Sequence, residues 1–342
     1  MKTKLRYKTV LFLIFIIFYF LPFGESAVGG GWGCLYADWV QVNNGLTDLH
    51  VNSLIANGNY LFAGTEYCSN CGGIFISTNN GNNWAIVPQL EYAGFISMAK
   101  NSLYTYAVGS DLVFSSNNGA NWVSYTYMPN GSHTYHQVAT NENNIFVGLH
   151  YFSNDPGGIY RSTDNGFNWA QTSFPTGQYQ NVVSIAINNN YIFASSGLLF
   201  GTQRSSDSGI TWNQCLNTAS LPIAVKGDSV YLFGGPYPGY FYYSSNNGNN
   251  WVQTQDSLVA RALLVYGNYL FAGGGISGGS FFISNNNGIT WLNRSEGMLY
   301  FVFSLCISNN YIYAGTDGYG VFRRPLGEIT QINVLSPAGS SA

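Results

Sequence analysis

An eight-residue pattern, which we term the box, recurs along this chain and constrains its fold more than any other feature. Each copy opens with serine, has glycine at the fifth position and closes on tryptophan, while the other positions vary. The six copies are STNNGNNW, SSNNGANW, STDNGFNW, SSDSGITW, SSNNGNNW and SNNNGITW, and they begin at Ser77, Ser115, Ser162, Ser205, Ser244 and Ser284. Successive copies lie roughly 40 residues apart, a period typical of repeat architectures.

An aromatic segment precedes each box and occurs once more after the last one. The seven segments are NYLFAG, SLYTYAVG, NNIFVG, NYIFAS, SVYLFGG, NYLFAG and NYIYAG, beginning at Asn59, Ser102, Asn143, Asn190, Ser229, Asn268 and Asn310. Each unit is predicted to contain four short strands: an apolar strand, the aromatic strand, and the strands that enter and leave the box. Four strands in a unit of about forty residues indicate a propeller blade.

The two ends of the chain complement each other. The seventh unit stops at Leu326 with three strands and no box, whereas DWVQV, residues 38–42, matches a strand that leaves a box. We therefore predict that residues 39–42 pair with residues 320–323 and leave no open sheet edge. The predicted fold class is all-β: a seven-bladed β-propeller of four-stranded antiparallel blades, closed by an N-terminal strand.

Each box has the composition of a tight turn between two strands. Its serine and the Asn or Asp two positions later can hydrogen-bond nearby backbone N–H groups, and its glycine can adopt a positive φ. The tryptophan then packs in the outer strand, where its indole N–H needs a partner. A structural role is therefore predicted for Ser77, Gly81, Trp84, Gly119, Trp122, Asp164, Gly166, Trp169, Asp207, Gly209, Trp212, Gly248, Trp251, Gly288 and Trp291.

The box resembles the Asp-box, or BNR, repeat of sialidase-like β-propellers, a group that includes xyloglucanases, sortilin-type receptors and photosystem II assembly factors. The resemblance covers most of residues 38–326. Asp164 and Asp207 match its acidic position, whereas the other boxes carry Asn79, Asn117, Asn246 and Asn286. Asparagine retains the hydrogen-bond acceptor, so the turn is expected in every copy. The resemblance implies the propeller fold and leaves the function open.

The N-terminus has the pattern of a secretory signal. Basic residues precede an apolar run over residues 9–23, and small residues suited to cleavage follow near Ser26 and Ala27. An uncleaved anchor is the alternative, although the run is shorter than the ~20 residues of a spanning helix. We predict a signal peptide at residues 1–27, the propeller at 28–326 and a tail or linker at 327–342.

The predicted location is secreted, at the cell surface or in the periplasm, with no membrane contact after signal cleavage. The tail resembles the junction before the C-terminal sorting domain of type IX-secreted bacterial proteins, which raises the expectation of a truncated bacterial protein. Charge disfavours nucleic acid as a partner. The net charge is −3, and the signal segment holds Lys2, Lys4, Arg6 and Lys8 but only Glu25 among acids. Beyond that segment no basic patch is visible, and nucleic-acid binders normally show one.

Two of the five cysteines lie close together, Cys68 and Cys71 in CSNC. A local disulfide is the favoured interpretation for a secreted protein. A thioredoxin-like redox motif would need a helix N-terminus nearby. A zinc site would need two further ligands at matching spacing, and the sequence does not show them.

The blade pattern also sorts the loops into two faces. The box turns lie on one face, so the loops between blades and between second and third strands lie on the other. All four histidines are predicted to lie in or beside this second set. Aromatic platforms with hydrogen-bond acceptors suit sugars or extended peptides. The ligand-binding candidates are Glu66, Asp111, Tyr127, His133, His136, His150, Tyr151, Asp155, Tyr237, Tyr240 and Asp317.

Three functions remain open. The favoured one is a non-enzymatic, monomeric propeller that binds polysaccharide or a cell-surface protein, without cofactor or metal. The second is a glycoside hydrolase, whose catalytic residues would be unknown because sequence does not show the separation of two carboxylates. A true sialidase is disfavoured because only Arg261 and Arg294 are predicted near the binding loops, and its carboxylate grip needs three arginines. The third is an assembly or scaffold module.

Overall fold

The computed structural model describes residues 38–125, 134–150, 157–176, 181–188, 190–196, 200–218, 220–235, 239–254, 258–274 and 280–330. These residues form seven four-stranded antiparallel sheets and almost no helix. The protein is a seven-bladed β-propeller, which confirms the predicted fold class. The predicted signal peptide lies outside the described residues.

Each of the first four blades runs from an inner to an outer strand in chain order. Blade 1 contains β2 (Val51–Asn57), β3 (Tyr60–Thr65), β4 (Ile74–Ser77) and β5 (Ala85–Ile86). Blade 2 contains β6 (Phe95–Lys100), β7 (Thr105–Gly109), β8 (Leu112–Ser115) and β9 (Val123–Ser124). Blade 3 contains β10 (Thr134–Asn141), β11 (Asn144–His150), β12 (Gly158–Ser162) and β13 (Ala170–Gln171). Blade 4 contains β14 (Val182–Ile187), β15 (Ile192–Ser196), β16 (Thr202–Ser205) and β17 (Asn213–Leu216).

The remaining blades repeat this order until the seventh. Blade 5 contains β18 (Ser220–Lys226), β19 (Ser229–Gly234), β20 (Tyr240–Ser244) and β21 (Val252–Gln253). Blade 6 contains β22 (Ala260–Tyr266), β23 (Tyr269–Gly274), β24 (Phe281–Ser284) and β25 (Leu292–Asn293). Blade 7 contains β26 (Val302–Ser308), β27 (Tyr311–Thr316), β28 (Gly320–Pro325) and, from the N-terminal end, β1 (Val40–Gln41).

The N-terminal strand closes the ring as predicted. Strand β1 pairs antiparallel with β28, placing Val40 opposite Arg323. The preceding Trp39 is buried, and its indole N–H donates to the carbonyl of Arg294 at 2.9 Å. The inner strand of each blade packs beside the next, and β26 packs beside β2. Both ends of the chain therefore contribute to one sheet, so the seam of the ring has no open edge.

The hydrophobic core lies between adjacent blades. Every residue of the second strands β7 and β15 is buried, because each blade is covered on both faces by its neighbours. Phe62 of blade 1 and Phe95 of blade 2 belong to one cluster, which Trp122 completes from a box, its ring edge-on to Phe62 at 6.1 Å. This packing explains why the aromatic segments are nearly continuous apolar runs.

The box turns are closed by side-chain hydrogen bonds to the backbone. In the third blade, Ser162 Oγ accepts from the amide of Gly166 at 2.8 Å and donates to Asp164 Oδ1 at 2.8 Å. Asp164 Oδ1 also accepts from the amide of Asn168 at 2.8 Å. Gly166 has φ of +96°, and the preceding Asn165 has φ of +58°, which the sequence reasoning had not anticipated. The turn thus contains two consecutive left-handed residues.

The box tryptophans connect each turn to its surroundings through the indole N–H. Trp169 donates to the carbonyl of Gly166 in its own box at 2.8 Å. Trp84 instead donates to the carbonyl of Val42 at 2.8 Å, outside its own blade. The same side chain therefore either tightens its own turn or joins one blade to its neighbour.

A short helix follows the last strand of the seventh blade. Residues Leu326–Ile329 form helix α1, in which Ile329 is fully buried in the cluster of the sixth and seventh blades. The hydroxyl of Tyr269 donates to the carbonyl of Thr330 at 3.1 Å. Apolar residues at both ends of the turn thus hold it against the ring. Within the described ranges, no helix has the length and apolar character needed to cross a membrane.

Candidate functional site

The strand order separates the turns into two faces. Each box turn joins a third strand to a fourth, as between β4 and β5. Because neighbouring strands are antiparallel, the turns between second and third strands and the connections between blades emerge on the opposite side. We refer to these sides as the box face and the loop face.

The described candidate residues map mainly to the loop face. Glu66, Asp111 and Asp317 lie in turns between second and third strands, whereas His150 ends β11 and Tyr240 begins β20. The other candidates from these loops lie outside the described residues: Tyr127, His133, Tyr151, Asp155 and Tyr237.

Loop-face segments of the seventh, first and second blades are joined by backbone hydrogen bonds. The amide of Gly320 donates to the carbonyl of Leu49 at 2.8 Å, and the amide of Glu66 donates to the carbonyl of His50 at 3.1 Å. The amide of Tyr92 donates to the carbonyl of Gly72, in the loop that follows Glu66, at 3.0 Å. We define the seam surface as these joined segments and their neighbours: residues 48–50, 66–73, 92–94, 110–111, 299–301 and 317–319.

His50 stands between two carboxylates of the seam surface. Its Nδ1 lies 3.1 Å from Asp48 Oδ1, and its Nε2 lies 3.9 Å from Asp317 Oδ1. Asp48 is only 5% exposed, whereas the other two side chains are about half exposed. The buried carboxylate therefore orients the imidazole, whose outer nitrogen remains near solvent. A disulfide between Cys68 and Cys71 lies beside this cluster.

Large apolar and aromatic side chains are exposed around the same cluster. The exposed fraction is 64% for Tyr67, 82% for Leu299, 40% for Phe301 and 45% for Tyr319. The Tyr319 ring stacks on Tyr300, with centroids 3.5 Å apart. The ligand-binding candidates named from the sequence include neither Tyr67 nor Leu299. No local motif distinguishes those two from buried residues of the same types.

Two clefts open on the seam surface. One of about 430 Å³ between the first two blades is lined by Asn52, Glu66, Tyr67, Gly94, Phe95, Ile96, Gly109 and Ser110. Another of about 390 Å³ is lined by Asn293, Ser295, Glu296, Gly297, Leu299 and Tyr300. Each places a carboxylate beside an exposed aromatic or apolar side chain, which suits a ligand with both apolar and hydrogen-bond-donating groups. A third cleft, of about 400 Å³, lies on the box face and is lined largely by asparagine and serine.

His136 lies near the loop-face start of the inner strand β10. It occupies a β-bulge where the pairing shifts between Tyr135 and Gln137. The other inner strands have register shifts near their starts as well, so the bulge is a regular feature of these blades. Burial, and then the nearby His150, lower the pKa of His136, and the two ring centroids are 6.0 Å apart. His136 is therefore mostly neutral near pH 7.

The arginines do not favour a sialidase-type grip on a carboxylate. Arg324 is fully buried and lies 2.7 Å from Glu296, which also lies 4.0 Å from the buried Arg294. Arg261 is the one exposed arginine in the described ranges, and its guanidinium stands 5.4 Å from the ring centroid of Phe303. Two of these arginines, both buried, are thus paired with the partly exposed carboxylate of Glu296.

Comparison with known proteins gives matches to structures alone. No family model matches the sequence, and no curated protein matches it. The structure of YCF48 bound to D1 peptide has a TM-score of 0.63 at 14% identity, covering 85% of this chain and 97% of that one. The GH74 enzyme of Niastella koreensis has a TM-score of 0.61 at 18% identity, and the match covers 82% of this chain and 43% of the enzyme. The extracellular domain of the BT4673 one-component system of B. thetaiotaomicron has a TM-score of 0.64 at 13% identity, and the match covers 84% of this chain and 40% of that one.

This chain therefore spans almost the whole of YCF48 but less than half of the other two proteins. At these identities the likeness shows the propeller fold alone. An enzyme and the extracellular domain of a one-component system are among the matches, so the fold by itself does not select a function.

Proposed function

We propose that this protein is a secreted, non-enzymatic β-propeller that holds an extended segment of a partner protein on its seam surface and thereby acts as a scaffold or assembly module. The observation that carries the proposal is the cluster of exposed aromatic and apolar side chains on loops that the closure of the ring brings together. Residues 1–27 would serve as the secretory signal of a bacterial protein, and the boxes would be divergent members of the Asp-box class.

The cluster is unusual because its members lie on loops that backbone hydrogen bonds join to one another. Single exposed apolar residues are normal on protein surfaces, but a group of them on joined loops marks an interaction site. Tyr67 and Leu299 flank the two clefts, and Tyr319 is held by its stacking on Tyr300. Aromatic rings supported in this way offer a large contact area and a polar edge to a bound chain.

The charge of the seam surface indicates the chemistry of the partner. Its segments include Asp48, Glu66, Asp111 and Asp317 but neither lysine nor arginine. Interfaces are electrostatically complementary, so a neutral or basic segment fits better than an acidic one. The structure of YCF48 with a D1 peptide supports the proposal as an example of a similar fold with a bound peptide.

The proposal can be tested by selecting ligands from a random peptide library displayed on phage, with the chain lacking residues 1–27 as bait. The double variant Tyr67→Ala/Tyr319→Ala should weaken the selected peptides roughly 30-fold, since each aromatic contact contributes about 1 kcal/mol. The matched control is Phe167→Ala/Ile210→Ala, which removes two side chains of the box face that are 70% and 56% exposed. This control should leave affinity within about twofold of the original.

Three outcomes would contradict the proposal. Loss of peptide binding in the Phe167/Ile210 variant, with the Tyr67/Tyr319 variant unaffected, would move the site to the box face. A parallel panel of soluble polysaccharides separates the remaining functions. Binding of a glycan but no peptide would support a carbohydrate-binding role, and release of reducing ends would identify a glycoside hydrolase.

A further inference from the structure

We propose that Cys68 and Cys71, once their disulfide is reduced, bind Zn²⁺ together with the buried carboxylate of Asp48, and that His50 holds that carboxylate in place. The site would be a redox-dependent metal centre within the seam surface. It does not depend on what that surface binds.

The fold supplies a ligand that the spacing of the sequence did not reveal. Cys68 and Cys71 lie in the loop between β3 and β4, whereas Asp48 comes from the connection that precedes β2. An oxygen of Asp48 and the two Sγ atoms all lie within 4.8 Å of one another. The sequence shows no further ligand at the spacing of a zinc motif, because Asp48 lies about twenty residues upstream and reaches the cysteine pair only through the fold of the first blade.

Asp48 is poised as a ligand because only one of its oxygens is engaged. Its Oδ1 accepts from the amide of His50 at 3.0 Å and faces His50 Nδ1 at 3.1 Å. Its Oδ2 is buried and has no hydrogen-bond partner among the described residues. Burying an unpaired carboxylate oxygen is costly, so a positive charge at this position would be stabilised. A histidine that fixes a ligating carboxylate also matches the outer partners that metal sites use.

The donor set selects zinc over harder cations. Two thiolates separated by two residues, with a carboxylate, match the ligands of Zn²⁺, whereas Ca²⁺ and Mg²⁺ take oxygen ligands. Tetrahedral zinc has bonds of roughly 2.0–2.3 Å to oxygen and sulfur, which places its ligand atoms about 3.5–4 Å apart. The two Sγ atoms, bonded to each other in the disulfide, must separate to that spacing once they are reduced, whereas the Asp48 oxygen already lies within 4.8 Å of both. Three protein ligands leave a fourth position for water or for a group of a bound partner.

Reduction controls access to the metal. A dithiol reductant transfers two electrons and two protons to the Cys68–Cys71 bond, forming two thiols and becoming a disulfide itself. Zinc then displaces one proton from each thiol as it binds. The two free cysteines among the described residues are unsuited to this chemistry, because burial raises the pKa of both Cys215 and Cys306 to about 12.

The test uses the chain lacking residues 1–27, prepared in oxidised and in dithiol-reduced form under anaerobic conditions. Zinc bound per chain is measured by competition with a coloured chelator, and Co²⁺ is used as a spectroscopic probe. The reduced chain should bind one Zn²⁺, and the oxidised chain should bind none. The Co²⁺ complex should show the intense near-ultraviolet charge-transfer band of thiolate ligation.

Variants identify the ligands. Cys68→Ser should abolish binding, Asp48→Asn should weaken it at least tenfold, and His50→Gln should weaken it about 10- to 100-fold. Asp317→Asn is the matched control, because this carboxylate faces the other nitrogen of His50. It should leave zinc affinity within about twofold.

Three results would overturn the proposal. The first is absence of zinc from a reduced chain that keeps its native tryptophan fluorescence and melting transition. The second is zinc binding that persists in Cys68→Ser or is equal in both redox forms. The third is loss of the fold on reduction alone, because the proposed site requires a folded reduced state.

Discussion

Replacing Gly166 by alanine should destabilise the ring through one identifiable contact. Gly166 has φ of +96°, and a Cβ at this position would lie 2.4 Å from Cζ and Oη of Tyr125. That tyrosine cannot move freely. Its ring stacks on Phe114 with centroids 4.5 Å apart, and its hydroxyl donates to the carbonyl of Asn165 within the same box.

The expected loss has two parts. A non-glycine residue in the left-handed region costs roughly 1–2 kcal/mol. Forcing a methyl group into packed surroundings costs typically ~1–3 kcal/mol more. The free energy of unfolding should therefore fall by about 2–5 kcal/mol. Gly267→Ala is the matched control, since its φ is +57° and no atom lies within 4 Å of the added Cβ. It should lose only the first part, roughly 1–2 kcal/mol.

Urea denaturation followed by tryptophan fluorescence measures both variants against the parent chain, with equal m-values required for comparison. The Gly166 variant should have the lower midpoint of the two. Equal losses, within about 0.5 kcal/mol, would refute the contact with Tyr125 as a source of stability. An unchanged Gly166 variant would refute the account of the box turn itself.

Three further outcomes follow from buried or hydrogen-bonded groups. Trp39→Ala should lower the free energy of unfolding by about 3–5 kcal/mol, because it removes the buried ring at the seam. Val40→Ala, at the exposed neighbouring position, should lower it by less than about 1 kcal/mol. Equal urea midpoints for the two variants would contradict the closure of the ring by this strand. Burial and the nearby His150 lower the pKa of His136, so the stability of the protein should fall as the pH drops below about 6.5. The melting temperature of His136→Gln should change less over the same pH range. Hydrogen bonds, first of all from Thr211, lower the pKa of Asp207 to about 2. The ionised Asp207 therefore contributes to the free energy of unfolding above about pH 4, and this contribution is lost as the pH falls towards 2. Asp207→Asn should remove that acid-dependent loss from the denaturation curves.

The architecture could be predicted because short local sequence patterns specify each turn and strand and recur from unit to unit. Each box predicts a turn from its own residues, and the aromatic segments predict the strands that the turns connect. Closure was also predictable, since residues 38–42 have the pattern of an outer strand and the last unit lacks one. Asn165 shows the limit even here. Its positive φ depends on the geometry of the whole turn, although asparagine is among the residues that tolerate it.

The site was less predictable because its residues come from separate blades. The exposure of Leu299 depends on which neighbours the folded ring provides, and a leucine in a loop gives no sign of it. His136 shows a similar limit. Its burial arises only in the folded blade, where the bulge of β10 positions it. Asp48 precedes the first strand of its blade in the sequence, but its burial beside the cysteine pair arises only in the folded blade.

The seam surface and the closure of the ring are physically coupled. The amide of Gly320 in blade 7 donates to the carbonyl of Leu49, which precedes blade 1. The side-chain amide of Asn43, just after β1, donates to the carbonyl of Tyr319 at 2.8 Å. Separation of β1 from β28 would therefore also loosen the turn that carries Tyr319. A ligand that needs this turn in place binds the closed ring and not the open one. Such a ligand stabilises closure by about 2.7 kcal/mol at a hundredfold excess over its dissociation constant, so occupancy of the seam surface would hold the ring shut.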